Sequence, residues 1–120
     1  MHELTIASAL LDEVLEAARK ASLRRVIAIE VRCGEARQVV PEALQLAFEA
    51  VSASTLAAGA ALSIVEVALE ARCRHCHRSF RARIDNYVCP GCGQADAELV
   101  AGDDIILQSL TGDTWQDGPS

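Results

Sequence analysis

Two short segments carry four thiols. Cys73-Arg74-His75-Cys76 and Cys89-Pro90-Gly91-Cys92 each set two cysteines across a two-residue gap, and twelve residues separate the pairs. A two-residue gap lets a tight turn aim both sulfurs at one ion. The stretch between the pairs is long enough for a short hairpin that brings them together. Four thiolates then close a tetrahedral zinc site with no open position, the structural kind. Pro90, Gly91 and Gly93 supply turn backbone. The competing reading, a redox Cys-x-x-Cys, needs one pair and a βαβ setting. Cys33, the fifth cysteine, lies outside both pairs. Its strand parity makes it a buried, inert thiol.

His75 and His77 flank Cys76. They read either as exposed loop histidines or as modulators that replace a thiolate as pH falls, since imidazole titrates near physiological pH. Residues 71–93 also hold five arginines, Arg72, Arg74, Arg78, Arg81 and Arg83. Guanidinium groups would offset the charge of a four-thiolate zinc centre. They could equally contact nucleic acid, and a zinc-ribbon adaptor for nucleic acid or protein is the alternative reading. Phe80 and Tyr87 are thin material for a base-stacking surface.

The chain begins Met-His-Glu. The Met1 amine, the His2 amide and the His2 imidazole can bind one ion in a plane, and Glu3 can add a carboxylate or its own amide. Nickel(II) and copper(II) favour such nitrogen-rich square-planar sets. A bulky residue at position 2 favours retention of Met1. On chemistry alone this stays beside the simpler reading, the frayed start of a helix.

The rest of the chain must position these groups. Leu4, Ala7, Leu11, Val14 and Ala18, widened by Ile6 and Leu10, recur at helical spacing over about 4–20, with Arg19 and Lys20 suiting the C-terminal dipole. Residues 26–33 alternate, with Ile27, Ile29, Val31 and Cys33 assigned to the core face of a strand. Pro41 opens a helix over about 41–53 whose buried face is Leu44, Ala47, Phe48 and Val51. A second strand follows near 60–69 and a third near 104–110. Trp115 is the one residue that could dock the polar tail. The fold class is α+β: two helices packed on a small three-stranded sheet, with an inserted zinc-knuckle subdomain resembling a zinc ribbon. The boundaries are 1–69 plus 102–112 for a discontinuous α+β domain that carries the Met-His-Glu end, 70–101 for the zinc-binding subdomain, and 113–120 for a flexible tail.

At 120 residues, 51% hydrophobic but only 3% aromatic, the chain supports one domain with an aliphatic core, or one domain with an insert. A net charge of −6 argues against a general nucleic-acid or anionic-membrane binder. No apolar run approaches the length of a membrane span, and no signal peptide is evident, so the cytoplasm is the expected compartment. A four-thiolate zinc has no open position, and no nucleophile–base pair is evident, so an enzyme is not expected.

The whole pattern resembles the HypA/HybF family of hydrogenase maturation proteins. "MHEL" at the N-terminus, the helix after it, "CGEARQVVPEALQLAFEAV", the double Cys-x-x-Cys with "CPGCG", and the last strand carry the likeness, which spans residues 1 to about 111. Cys33 departs from it, standing where an aliphatic residue is common. The resemblance implies a nickel metallochaperone. His2 is then the essential nickel ligand, with Met1 and Glu3 adjacent, and Cys73, Cys76, Cys89 and Cys92 hold structural zinc. It also implies a HypB-type GTPase partner, transfer to the large subunit of a [NiFe]-hydrogenase, and in some members urease maturation proteins. The expected state is a monomer or homodimer.

Overall fold

In the computed structural model, residues 3–114 are described. Met1, His2, Trp115 and the rest of the tail lie outside them. The elements are α1 (Glu3–Lys20), β1 (Leu23–Gly34), a short 3-10 turn (Glu35–Arg37), α2 (Pro41–Ser52), β2 (Ala61–Val67), β3 (Glu70–Cys73), β4 (Ser79–Arg81), β5 (Ala97–Ala101) and β6 (Ile105–Thr114). One three-stranded sheet has the order β2–β1–β6, and a second has the order β4–β3–β5. The fold is the expected α+β class.

The chain divides into two compact units. The first comprises residues 1–31, 39–64 and 107–120, the second 32–38 and 65–106.

In the first unit α1 packs along α2. Ile6, Ala7, Leu10, Leu11, Val14 and Ala18 of α1 are buried, with Leu44 and Phe48 of α2 and Leu23, Val26, Ile29 and Val31 of β1. The period of 3.6 residues puts these helix positions on one face. Leu4, assigned to that face from spacing, is 58% exposed, because at the first turn of the helix the stripe is carried by Ile6 and Ala7 instead. Pro41 occupies the first turn of α2, where its missing N–H costs nothing.

β1 corrects the sequence reading in one place. Ile27 is exposed and Val26 is buried, so burial runs at spacing three from Leu23 to Ile29 before alternating through Val31 and Cys33. The Val26 amide donates to the Leu56 carbonyl at 2.9 Å. A one-residue phase change moves a side chain to the other face, and simple alternation cannot register it. The last strand also outruns its expected end: Asp113 and Thr114, assigned to the tail, belong to β6. Gly112 lies where a Cβ would meet the Arg25 carbonyl oxygen at 2.1 Å, so only glycine lets that backbone approach.

The second unit is built on a much smaller core. Leu69, Ala71 and Ala82 are buried, and Ala36, Phe80, Tyr87 and Ala97 pack against them. β3 pairs antiparallel with β4, Ala71 opposite Phe80, and with β5, Arg72 opposite Glu98. The sequence reading anticipated a hairpin between the cysteine pairs but not this second sheet. Its strands are three to five residues long, too short for a clear period. The connection after β4 closes tightly, Arg83 and Asn86 exchanging backbone hydrogen bonds at 3.1 and 3.0 Å.

Two features brace this unit. Glu35 Oε1 accepts the amide of buried Leu69 at 2.9 Å, and Glu35 Oε2 meets Arg81 at 3.4 Å. Gly34 and Gly102 approach so closely that a Cβ on Gly34 would stand 2.3 Å from the Gly102 carbonyl.

Candidate metal centre

Cys73 ends β3, and the chain turns immediately through Arg74, His75 and Cys76. The Cys73 carbonyl accepts the His77 amide at 2.9 Å, and the Cys73 amide donates to the Arg78 carbonyl at 2.9 Å. The second pair repeats this pattern: the Cys89 carbonyl accepts the Gly93 amide at 2.9 Å, and the Cys89 amide donates to the Gln94 carbonyl at 2.9 Å. Two like turns therefore present two thiols each. The Gly91 amide also donates to Cys89 Sγ at 3.3 Å.

The four sulfurs lie within 4.8 Å of one another. Across the pairs, Cys73 Sγ is 3.5 Å from Cys92 Sγ, and Cys76 Sγ is 3.5 Å from Cys89 Sγ. Metal–thiolate bonds of about 2.3 Å in a tetrahedron put sulfurs roughly 3.8 Å apart, so the donor set fits one zinc-sized ion. Cys73 and Cys89, the first of each pair, are buried, while Cys76 and Cys92 reach the surface.

The electrostatics of the thiols point the same way. The Cys92 amide, with Gly91 and the neighbouring sulfurs helping, pulls Cys89 down to about 6 against the cost of burial. The Cys76 amide likewise lowers Cys73. The Gln94 amide favours the Cys92 thiolate too, but Cys73, burial and the other sulfurs outweigh it and push Cys92 up to about 11. Four thiols this close cannot all ionise without a cation among them. Four thiolates closed around one ion would leave no position for a substrate, which is the arrangement of structural rather than catalytic sites.

His75 and His77 stand outside this cluster. His75 Nε2 is 3.2 Å from Asp96 Oδ2. The other Asp96 oxygen takes Arg74, whose NH1 donates to Oδ1 at 2.8 Å and also to the Ala97 carbonyl at 3.1 Å. Arg74 holds the Asp96 carboxyl below the usual range, chiefly through that hydrogen bond. His77 has φ 63, a left-handed backbone, where the second turn has Gly93 at φ 77. Asp96 and Glu35 escaped notice as site residues because nothing in their spacing marks them. The left-handed residue was legible: aligning "CRHCHR" with "CPGCGQ" puts His77 over Gly93.

Of the N-terminal set, Glu3 is the described residue. It is charged and 9% exposed, and its Oε2 accepts the Val40 amide at 3.2 Å. The carboxylate thus ties the start of α1 to the residue that caps α2. Cys33 is 5% exposed, and burial raises its thiol pKa.

The family model described as "Hydrogenase/urease nickel incorporation, metallochaperone, hypA" matches residues 1–112. The hydrogenase maturation factor HypA of Roseiflexus sp. (strain RS-1) is 40% identical over 111 residues, covering 92% of this chain and 90% of that protein. The one from Dehalococcoides mccartyi (strain CBDB1) is 34% identical over 110 residues, covering 92% of each. The solution structure of the Ni metallochaperone HypA from Helicobacter pylori superposes with a TM-score of 0.73 at 27% identity, covering 95% of this chain and 99% of that one.

Proposed function

Since the chain belongs to the HypA family of hydrogenase and urease nickel-incorporation metallochaperones, maturation factors rather than enzymes, we propose that it carries nickel(II) on its N-terminal end. The ligands are the Met1 amine, the His2 amide and imidazole, and Glu3. The observation that carries this reading is the extent of the family match: it starts at residue 1, so the Met-His-Glu segment falls within it. Nickel is cargo. An open planar site at a chain end suits ligand exchange with a receiving protein better than a closed cage does.

Glu3 has a second task in this scheme. Its carboxylate also accepts the Val40 amide, so it ties the N-terminal end to the residue that caps α2. The receiving chain of events runs through a HypB-type GTPase to the large subunit of a [NiFe]-hydrogenase. The acidic surface of a chain of net charge −6 would steer a basic patch on such a partner. No helix among the described residues is long and apolar enough to cross a membrane, and we place the activity in the cytoplasm.

Zinc is the ion we assign to Cys73, Cys76, Cys89 and Cys92, on the fit of a tetrahedral four-sulfur set. Its contribution is to fold and stiffen the second unit, whose own apolar core is small.

The adaptor alternative loses ground on one observation. Two of the five arginines, Arg74 and Arg81, are engaged by Asp96 and Glu35. A nucleic-acid surface needs its cations free for phosphates.

Nickel calorimetry on the untagged protein tests the main reading. His2→Ala, and separately a chain with residues added before Met1, are expected to lose high-affinity nickel binding while keeping stoichiometric zinc. Equal nickel affinity in wild type and His2→Ala would remove the N-terminal assignment.

A further inference from the structure

Arg78 differs from the other arginines of the insert in what its side chain covers. Like Arg72 and Arg83, it has no carboxylate paired with it among the described residues. Its backbone carbonyl accepts the amide of Cys73, the first thiol of the first turn, at 2.9 Å. Its side chain lies over Gly91, inside the second turn. A Cβ built on Gly91 would stand 3.1 Å from Arg78 Nε, 3.2 Å from Cζ and 3.4 Å from Cδ. One residue therefore holds the first cysteine pair by its main chain and covers the second by its guanidinium.

The charge of the centre makes that placement consequential. Four thiolates around a divalent ion leave a net charge of about −2. The Gly91 peptide that Arg78 covers is also the one whose N–H points at Cys89 Sγ. A guanidinium resting on this peptide holds the donor in place and sets a positive charge beside the thiolates. Outer partners of this sort orient ligands and tune the metal they hold. Gly91 itself is explained by the same contact: any side chain there would press on Arg78.

We propose that Arg78 is a positioning residue of the metal centre, clamping the Cys89–Cys92 turn across from Cys73 and supplying the counter-charge that slows loss of the ion. This rests on the reading that the four cysteines hold zinc.

The test is the rate at which zinc-loaded, full-length protein gives up its ion to a chromogenic chelator, at low and at high ionic strength. Arg78→Met keeps the apolar stem and removes the charge. It is expected to release zinc roughly tenfold faster at low salt, the lower end of what outer-shell partners contribute. The gap should close toward about 1 M salt, where a surface charge is screened. Arg78→Lys should recover part of the difference. Gly91→Ala leaves Arg78 in the sequence but crowds its guanidinium, which must give by a few tenths of an ångström, and should raise the release rate only part of the way toward that of Arg78→Met. Wild-type release by Arg78→Met at low salt would overturn the proposal, as would acceleration that salt leaves unchanged. Wild-type protein without stoichiometric zinc would overturn the four-cysteine reading beneath it, a result separable from the variant rates.

Discussion

His77 and Gly93 hold equivalent places in the two cysteine turns. Each follows the second cysteine of its pair, each is left-handed (φ 63 and 77), and each donates its amide to the carbonyl of the pair's first cysteine. The turn demands this backbone whatever residue occupies it. Glycine adopts it freely, whereas a residue with a Cβ pays about 1–2 kcal/mol. Histidine at position 77 is therefore retained against a local cost, and in this geometry it stands outside the sulfur cluster.

His77→Gly should consequently leave the zinc-loaded protein as stable as wild type or raise its stability by up to about 1 kcal/mol, since relief of strain and the flexibility of glycine in the unfolded chain oppose each other. His77→Val should lower stability by about 1–2 kcal/mol, because a β-branched residue tolerates this region worst. Denaturant unfolding of the zinc-loaded variants decides the matter. Loss of zinc from His77→Gly would instead mean that the imidazole reaches the ion.

The outcome at position 77 illustrates what the sequence disclosed. The four cysteines, the two helices and the three strands of the larger sheet were legible because spacing and period report directly on turns and faces. Glu35 was legible only as part of the "CGEARQ" segment. Its job depends on Leu69, 34 residues away, and no local pattern encodes such a pairing. The phase change at Val26 was hidden for a similar reason: its amide is satisfied by Leu56, a loop carbonyl that strand alternation ignores. Leu4 misled because helical spacing does not say where a stripe stops being covered.

Glu35→Ala should destabilise the second unit by about 1–3 kcal/mol, the cost of leaving the buried Leu69 amide without an acceptor. Little of this should come from Arg81, whose side chain is 68% exposed and whose ion pair is worth little in water. Glu35→Gln keeps an amide oxygen for Leu69 and should cost less than half as much. Arg81→Ala should be nearly silent. Thermal melts of the three variants, all loaded with zinc, would separate the hydrogen bond from the ion pair.

Removing zinc should act on one unit first. Leu69, Ala71 and Ala82 are too little core to hold β3, β4 and β5 once the thiolates lose their ion. Chelation is expected to abolish hydrogen-exchange protection at the amides of residues 70–101 while those of α1, packed along α2, stay protected. Acidification should do the same. The bound thiolates take up protons when the ion leaves, so the stabilisation is present at neutral pH and is lost as pH falls. Mass spectrometry of peptides from the two regions after exchange reads both effects. Equal loss in α1 and β3 would show that zinc supports the whole chain rather than the smaller unit.

Gly102 is the position where a single methyl should do most damage. It has φ 92, a Cβ there would meet the Ala68 carbonyl oxygen and the Leu69 Cα at 2.6 Å, and its own carbonyl accepts the Ala36 amide at 2.8 Å. All of the atoms in the way are backbone, which cannot swing aside as a side chain would. Gly102→Ala is expected to cost about 2–4 kcal/mol from strain and displacement together. Gly34→Ala presses on Gly102 itself, its Cβ 2.3 Å from the Gly102 carbonyl and 2.7 Å from the Asp103 amide nitrogen, whereas the Gly102 methyl meets Ala68 and Leu69. Both substitutions displace Gly102, so their effects are coupled. The double variant should therefore depart from the sum of the two single losses. Denaturant midpoints of the four proteins of this cycle provide the measurement, and strict additivity would mean that the two glycines serve independent constraints.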